Sequence, residues 1–550
     1  MAPMSDLRSA EAEPVAAGRP GCCGSAGQAQ ADGRAEHADG AEPAEGVEPH
    51  DETEMFDVVI VGAGISGISA ACHLQRHCPD RSYVILEGRA DIGGTWDLFR
   101  YPGVRSDSDM HTLGFDFKPW KHQKSIADGP AIMDYLRETV DEYALRPRIR
   151  FGHRLHSASW SSQQRCWTVR GAHSVTGELL QARGSVLFMC AGYYSYKGGY
   201  LPELPGRDRF AGRFVHPQDW PEDLDYAGKR VAVIGSGATA MTLVPAMAAD
   251  TEHITMIQRS PTYVASRPAV DKTANRLRRY LPESLAYRLT RAKNIWRQDL
   301  VYRKTRTDPE KVKDYLLGAA REAVGSDYVE RHLTPSYDPW DQRLCLIPDG
   351  DLFEAINSGK ASLATGTIDT ITESGVLLDS GQHVDADVII AATGLQLVTL
   401  GEMEFDIDGE PVDFSQHWTY KSMGFSDIPN LISTFGYVNA SWTLKADLTS
   451  GYVCRLLNHM RSTGTDMFVP VLGDSRETLA SRPWIDDFSS GYMQRSMHLL
   501  PRQGDREPWL NTQDYRADRK QIRKSPLDDG VMTFSAAPAP TAAVPAASAR

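Results

Sequence analysis

Apolar residues in this chain gather into short runs that stop at glycine-rich turns. Phe56-Asp-Val-Val-Ile-Val61 runs into Gly62-Ala-Gly64-Ile-Ser66-Gly67, and the pattern predicts a strand over 56–61, a helix from about 66 to 75 and a strand over 82–86. Arg230-Val-Ala-Val-Ile234 runs in the same way into Gly235-Ser236-Gly237-Ala238-Thr239-Ala240, followed by a strand over 253–259. Two more runs, 186–190 and 386–392, end in Ala191-Gly192 and Thr393-Gly394. Such runs alternating with helical segments predict an α/β protein with mostly parallel sheets. Between 270 and 335 the period changes to that of amphipathic helices studded with Arg and Lys, as in 274–280. These are expected to pack on the second unit with their charge in solvent.

Each glycine turn carries a chemical prediction. Gly62 permits the tight turn, Gly64 lets a diphosphate approach the backbone, and Gly67 lets helix and strand pack closely. The helix start then offers free N–H groups and a partial positive charge to the phosphates, with Ser66 beside them. Glu87, at the end of the next strand, is placed to accept hydrogen bonds from ribose hydroxyls. After the second turn (235–240) the corresponding strand ends in Arg259-Ser260, where a guanidinium suits a 2′-phosphate and so favours NADPH over NADH. Two dinucleotides on one chain imply hydride exchange between FAD and NADPH. The glycine-aromatic stretch Gly93-Gly94-Thr95-Trp96-Asp97-Leu98, with Arg105-Ser106-Asp107 after it, is expected to border the flavin.

The predicted architecture is two Rossmann-like dinucleotide-binding domains, the FAD domain interrupted by the NADP domain, with a helical insertion. The expected boundaries are 55–210 and 371–530 for the two parts of the FAD domain and 211–370 for the NADP domain. A disordered acidic tail is expected over 1–54 and an Ala/Pro-rich one over 531–550. Strand 386–392 is expected to return to the FAD domain. The net charge of −13 sits mostly in residues 1–54, which hold 12 acids against 3 Arg, so no nucleic-acid footprint is expected. The eight cysteines show no metal or disulfide spacing, no metal site is expected, and no apolar run spans a membrane. These features point to the cytoplasm and leave peripheral membrane contact and oligomeric state open.

The chain resembles the Baeyer–Villiger monooxygenases, flavoproteins that use NADPH and dioxygen to convert ketones to esters. Phe210, Gly212, His216, Trp220 and Pro221 fill that family's signature, with Pro217 where Thr or Ser is usual. Gly94, Trp96, Tyr101, Pro102, Gly103 and Asp107 fill its second pattern. Strings such as 339–345 and 439–447 are similar to the mycobacterial, ethionamide-activating members, which also oxygenate sulfur in thioamides. The resemblance implies a catalytic Arg343 that stabilises negative charge beside the flavin, and an Asp107 that orients it. It also implies that the segment around Leu155 offers backbone groups to the adenine, and that His216 serves as a hinge contact. Gln342 stands where ketone-active relatives often carry a phosphate-binding Lys. The resemblance further implies a small ketone or sulfur-containing substrate. Phe435, Tyr437 and Trp442 are candidate pocket walls.

Three rival readings are open at this stage. A flavin monooxygenase acting on nitrogen or sulfur with little ketone activity would share both glycine turns, but usually lacks the Trp220-Pro221 ending. A disulfide reductase would need a cysteine pair that Cys72 and Cys78 do not provide. A non-catalytic binding scaffold would be marked by loss of Arg343.

Overall fold

The computed structural model describes residues 54–537; the two predicted tails lie largely outside them. Two sheets organise the chain. The first has nine strands around Met55–Val61, which pairs in parallel with Tyr83–Leu86 on one side and Leu179–Met189 on the other. Cys166–His173 and His153–Ser161 extend it as an antiparallel meander, and Leu431–Ser433 adds in parallel to Leu179–Met189. The second sheet has five strands, all parallel, in the order Ala361–Thr365, His253–Gln258, Arg230–Ile234, Val388–Ala391, Arg213–Val215. Its central strands are buried on both faces, which is why they read as continuous apolar runs.

That topology corrects one expectation. Val388–Ala391 does not return to the first sheet; it lies in the second, between Arg230–Ile234 and Arg213–Val215. The second unit therefore runs to about 391, taking with it the three-stranded meander 368–385 that was expected beyond 371. The chain rejoins the first sheet only at Glu404–Ile407, parallel to His153–Ser161. The closing tail also starts later than expected, because Met532–Ser535 pairs antiparallel with Met467–Pro470.

The helical insertion divides between the two units. Pro309–Val324 and Ser326–His332 bury Leu316, Leu317, Ala320 and Val329 in the core of the second sheet, as expected. The long helix Glu283–Thr307 instead turns its inner face to the first unit. Tyr287 donates to the Phe115 carbonyl at 2.8 Å, and Arg291 donates to the carbonyls of His111, Thr112 and Gly114 and to Asp447 at 3.2 Å. The charge of Arg291 is thus not solvated; it is buried against a buried carboxylate. A pair of this kind becomes costly when one member is removed. Among the described residues no helix is long and apolar enough to cross a membrane.

Both glycine turns are places where two stretches of backbone touch. A Cβ on Gly67 would lie 1.9 Å from the Gly62 carbonyl oxygen, and one on Gly235 would lie 2.2 Å from that of Ala392. Gly62 and Gly235 also have φ of +101° and +128°, backbone that L side chains rarely adopt. Gly64 differs: its φ is −74° and its nearest neighbour to a Cβ is 3.6 Å away. Gly67→Ala is therefore expected to lower the stability of ligand-free protein by about 1–3 kcal/mol, as overpacking does. Gly64→Ala should leave it unchanged. Thermal midpoints of the two variants without nucleotide check this; equal midpoints would show that the 62–67 turn relaxes freely.

Candidate functional site

The carboxyl ends of both sheets open on one cleft of about 520 Å³, walled from the first unit by Gly62, Gly64 and Ser66 and from the second by Ser236, Gly237, Ala238 and Thr239. Helices Ile65–His77 and Ala238–Met247 start at this cleft, with Gly64 and Gly237 as their N-caps and no side chain capping either. Elsewhere Asp109, Asp128, Asp271 and Asp514 cap helix starts with their carboxylates. The two uncapped starts leave their N–H groups to a ligand, which fits a diphosphate at each.

Glu87 is buried at the cleft wall, and its carboxylate accepts the Ala63 and Arg89 amides at 2.6 and 2.8 Å. Burial pushes its carboxyl up, opposed by those two amides. Thr95, Trp96, Ser106 and Leu155 also face the cleft. Arg105 lines it too, but its guanidinium is paired with Asp351 and donates to the Met241 carbonyl at 3.4 Å, joining the two units. Asp97 and Leu98 do not reach the wall: Asp97 is held by Arg89 at 2.6 Å and by Arg100 at 3.1 Å. Gly67, Gly235 and Ala240 lie behind it, where close packing of helix on strand places them. Arg259 and Ser260 are exposed beyond the end of His253–Gln258 and are not part of the wall; the Ser260 carbonyl accepts Ser236 Oγ at 3.4 Å.

Arg343 and Asp107, 236 residues apart, meet in this cleft as an ion pair. The adjacent Asp107 holds the Arg343 guanidinium well above its usual range, so it keeps its charge against the cost of burial. Around it stand three phenols, Tyr193, Tyr194 and Tyr492, whose own ionisation burial pushes up. Tyr193 and Tyr194 share a hydrogen bond of 3.0 Å, and the Trp442 indole stacks on Tyr193 at 5.0 Å. The Trp442 indole N–H donates to Ser66 Oγ at 2.7 Å, tying this wall to the first glycine turn. Tyr437 also lines the cleft, whereas Phe435 packs behind Tyr193 at 5.1 Å.

His216 accepts the Gln218 amide at Nδ1, 3.1 Å, and its Nε2 donates to the Gly394 carbonyl at 3.2 Å. Both ring nitrogens are engaged in the neutral form, and burial lowers its pKa, so it serves as a contact between segments. The tyrosines were not singled out from the sequence. Tyr193 and Tyr194 directly follow Ala191-Gly192, a signal that was present, whereas Tyr492 arrives from the distant helix Gly491–Ser496 without one.

Residues 60–138 match the model of an NAD(P)-binding Rossmann-like domain. The chain is 49% identical to the FAD-containing monooxygenase EthA of Mycobacterium tuberculosis, over 89% of this chain and 99% of that protein. It is 47% identical to the probable FAD-binding monooxygenase AlmA of Acinetobacter baylyi, over 87% of this chain and 96% of that one. Among solved structures, an oxidized steroid monooxygenase bound to NADP superposes with a TM-score of 0.71 at 24% identity, covering 88% of this chain and all of that one. An open cyclohexanone monooxygenase does so with 0.67 at 21%, with the same coverage. Fold and relatives agree with the paired nucleotide turns and the single cleft: this chain belongs to the family of FAD-containing monooxygenases.

Proposed function

We propose that this enzyme binds FAD at the first glycine turn and NADPH at the second, and uses dioxygen to oxidise ketones to esters and to oxygenate sulfur in thioamides or sulfides. The observation that carries this reading is that both glycine turns and the Arg343–Asp107 pair face one cleft. Bound FAD, reduced by NADPH, supplies the electrons that split dioxygen, one atom passing to the substrate and one to water.

The residues of the chain do the rest. The uncapped starts of Ile65–His77 and Ala238–Met247 and the Glu87 carboxylate hold the two cofactors by phosphate and ribose. Trp96 and the Tyr193–Trp442 stack wall the cleft against water. Arg343 places a fixed positive charge where negative charge develops on oxygen, and Asp107 holds its orientation. A preorganised charge in a dry site contributes more than the same charge in water. Arg259, at the solvent edge, is the group that reaches a 2′-phosphate.

NADPH-driven oxygen uptake by FAD-loaded protein on a panel of ketones and thioethers, with products identified by mass, tests the reading. Failure to form any oxygenated product would overturn it, and sulfur products without esters would favour the heteroatom-only alternative. In Arg343→Ala the flavin should still be reduced by NADPH, while oxygenated product falls at least about a hundredfold and hydrogen peroxide takes its place. Asp107→Ala should show a milder loss, since it orients the charge without supplying it. Stopped-flow reduction and product yield separate the two half-reactions; wild-type product from the Arg343 variant would mean that the charge lies elsewhere. Arg259→Ala should weaken NADPH by about tenfold or more and leave NADH nearly unchanged, the contribution of one charge-assisted contact. Titration of both nucleotides checks it, and equal losses would place the 2′-phosphate on other residues.

A further inference from the structure

The outer face of helix Glu283–Thr307 has no partner within the described residues. Leu285, Leu289, Ala292, Trp296 and Leu300 recur at steps of 4, 3, 4 and 4, which puts all five on one face. Leu285 is 41% exposed, Leu289 46%, Trp296 55% and Leu300 41%. No other element shows such a row, and isolated exposed apolar residues need no explanation. Helix stability does not account for it, because the opposite face already anchors the helix through Tyr287 and Arg291.

Cations flank the row. The segment Lys272–Thr307 holds eleven Lys or Arg and two acids, in a chain whose net charge is −13. Both acids are occupied: Glu283 by Lys121 at 3.2 Å, and Asp299 by Arg303 at 3.0 Å and Arg516 at 3.1 Å. Arg288 lies on one side of the row and Arg297 and Lys304 on the other, all exposed and none in an ion pair among the described residues. Long cationic side chains beside an apolar stripe bearing a Trp match the interface of a bilayer, with hydrocarbon under the stripe and anionic headgroups at its edges.

We infer that this face docks the enzyme on the surface of an anionic lipid bilayer, with the helix lying in the interface plane and not crossing it. A second copy of the chain fits less well, since a two-fold contact would set like-charged rims against each other. An acidic protein would meet the cations and leave the leucines and Trp296 unmatched. The same helix donates from Gln298 to the Asn439 carbonyl at 3.0 Å and from Arg306 to Asp341 at 2.7 Å. It therefore braces the loop that carries Arg343, so docking there sets the cleft at a fixed orientation to the lipid. The inference does not depend on the substrate proposed above.

The test is co-sedimentation of the full, FAD-loaded chain with vesicles of phosphatidylglycerol and phosphatidylcholine, and with phosphatidylcholine alone. Binding to the anionic vesicles is expected, weakened by added salt, with quenching of Trp296 fluorescence by brominated lipid. Leu289→Glu with Trp296→Glu should weaken binding by roughly a hundredfold, because two exposed side chains lose their burial in lipid. NADPH oxidation on a water-soluble substrate should be unchanged, which confirms the fold. Arg288→Glu with Lys304→Glu gives a second route, with a loss of roughly fivefold per residue at low salt. Wild-type protein that stays in the supernatant with anionic vesicles overturns the inference, as does a doubly substituted protein that sediments like wild type. So does a substitution that turns a dimer into a monomer, which would make the face a contact between copies.

Discussion

Close contact of backbone with backbone at the two glycine turns is the constraint on which this molecule depends. At Gly62 and Gly67 the turn, the first helix and the strand ending at Met189 come so near that a single methylene has no room. At Gly235 the same condition is met against Ala392. Because neither turn carries a side chain, each helix starts directly at the carboxyl end of its sheet and keeps its first N–H groups free for phosphate. The cleft follows from this: it lies outside the strand ends of two parallel sheets, where a ligand at one turn faces a ligand at the other.

Charge is then brought in from elsewhere in the chain. Arg343 reaches the cleft on a loop of the second unit, and Asp107 on a loop of the first. Their pairing holds a cation against burial and ties the two units together at the point of chemistry, as Arg105 and Asp351 do nearby. The tyrosines and Trp442 around them supply an apolar wall that sharpens the field of that one charge. A third buried cation, Arg291, does structural work only: with Asp447 it fixes the long helix to the first unit and frees the opposite face of that helix to meet something outside.

Much of this was legible in the sequence because the requirements are local. A glycine needed for positive φ or close approach shows itself by identity and spacing, and so do the apolar run before it and the Glu or Arg ending the next strand. Legibility failed where the requirement was not local. The run 386–392 reads as a buried strand in either sheet, and only pairing with Arg230–Ile234 decided which. Arg291 reads as one more solvated charge on an amphipathic helix, because nothing nearby in the chain announces Asp447, 156 residues away. Asp97 and Leu98 sit within a stretch that borders the cleft but turn away from it, a matter of one helical turn that sequence spacing does not resolve.

The sequence by itself determined that there are two nucleotide-binding units, where their turns lie and which chemistry the family resemblance implies, since these rest on short segments whose backbone demands are met residue by residue. Tertiary structure alone decided that Arg343 and Asp107 meet, that Tyr193, Tyr194 and Tyr492 surround them, and that the row from Leu285 to Leu300 is left outside. Those facts depend on contacts between residues far apart in the chain, which form only when both sheets and the inserted helices pack together.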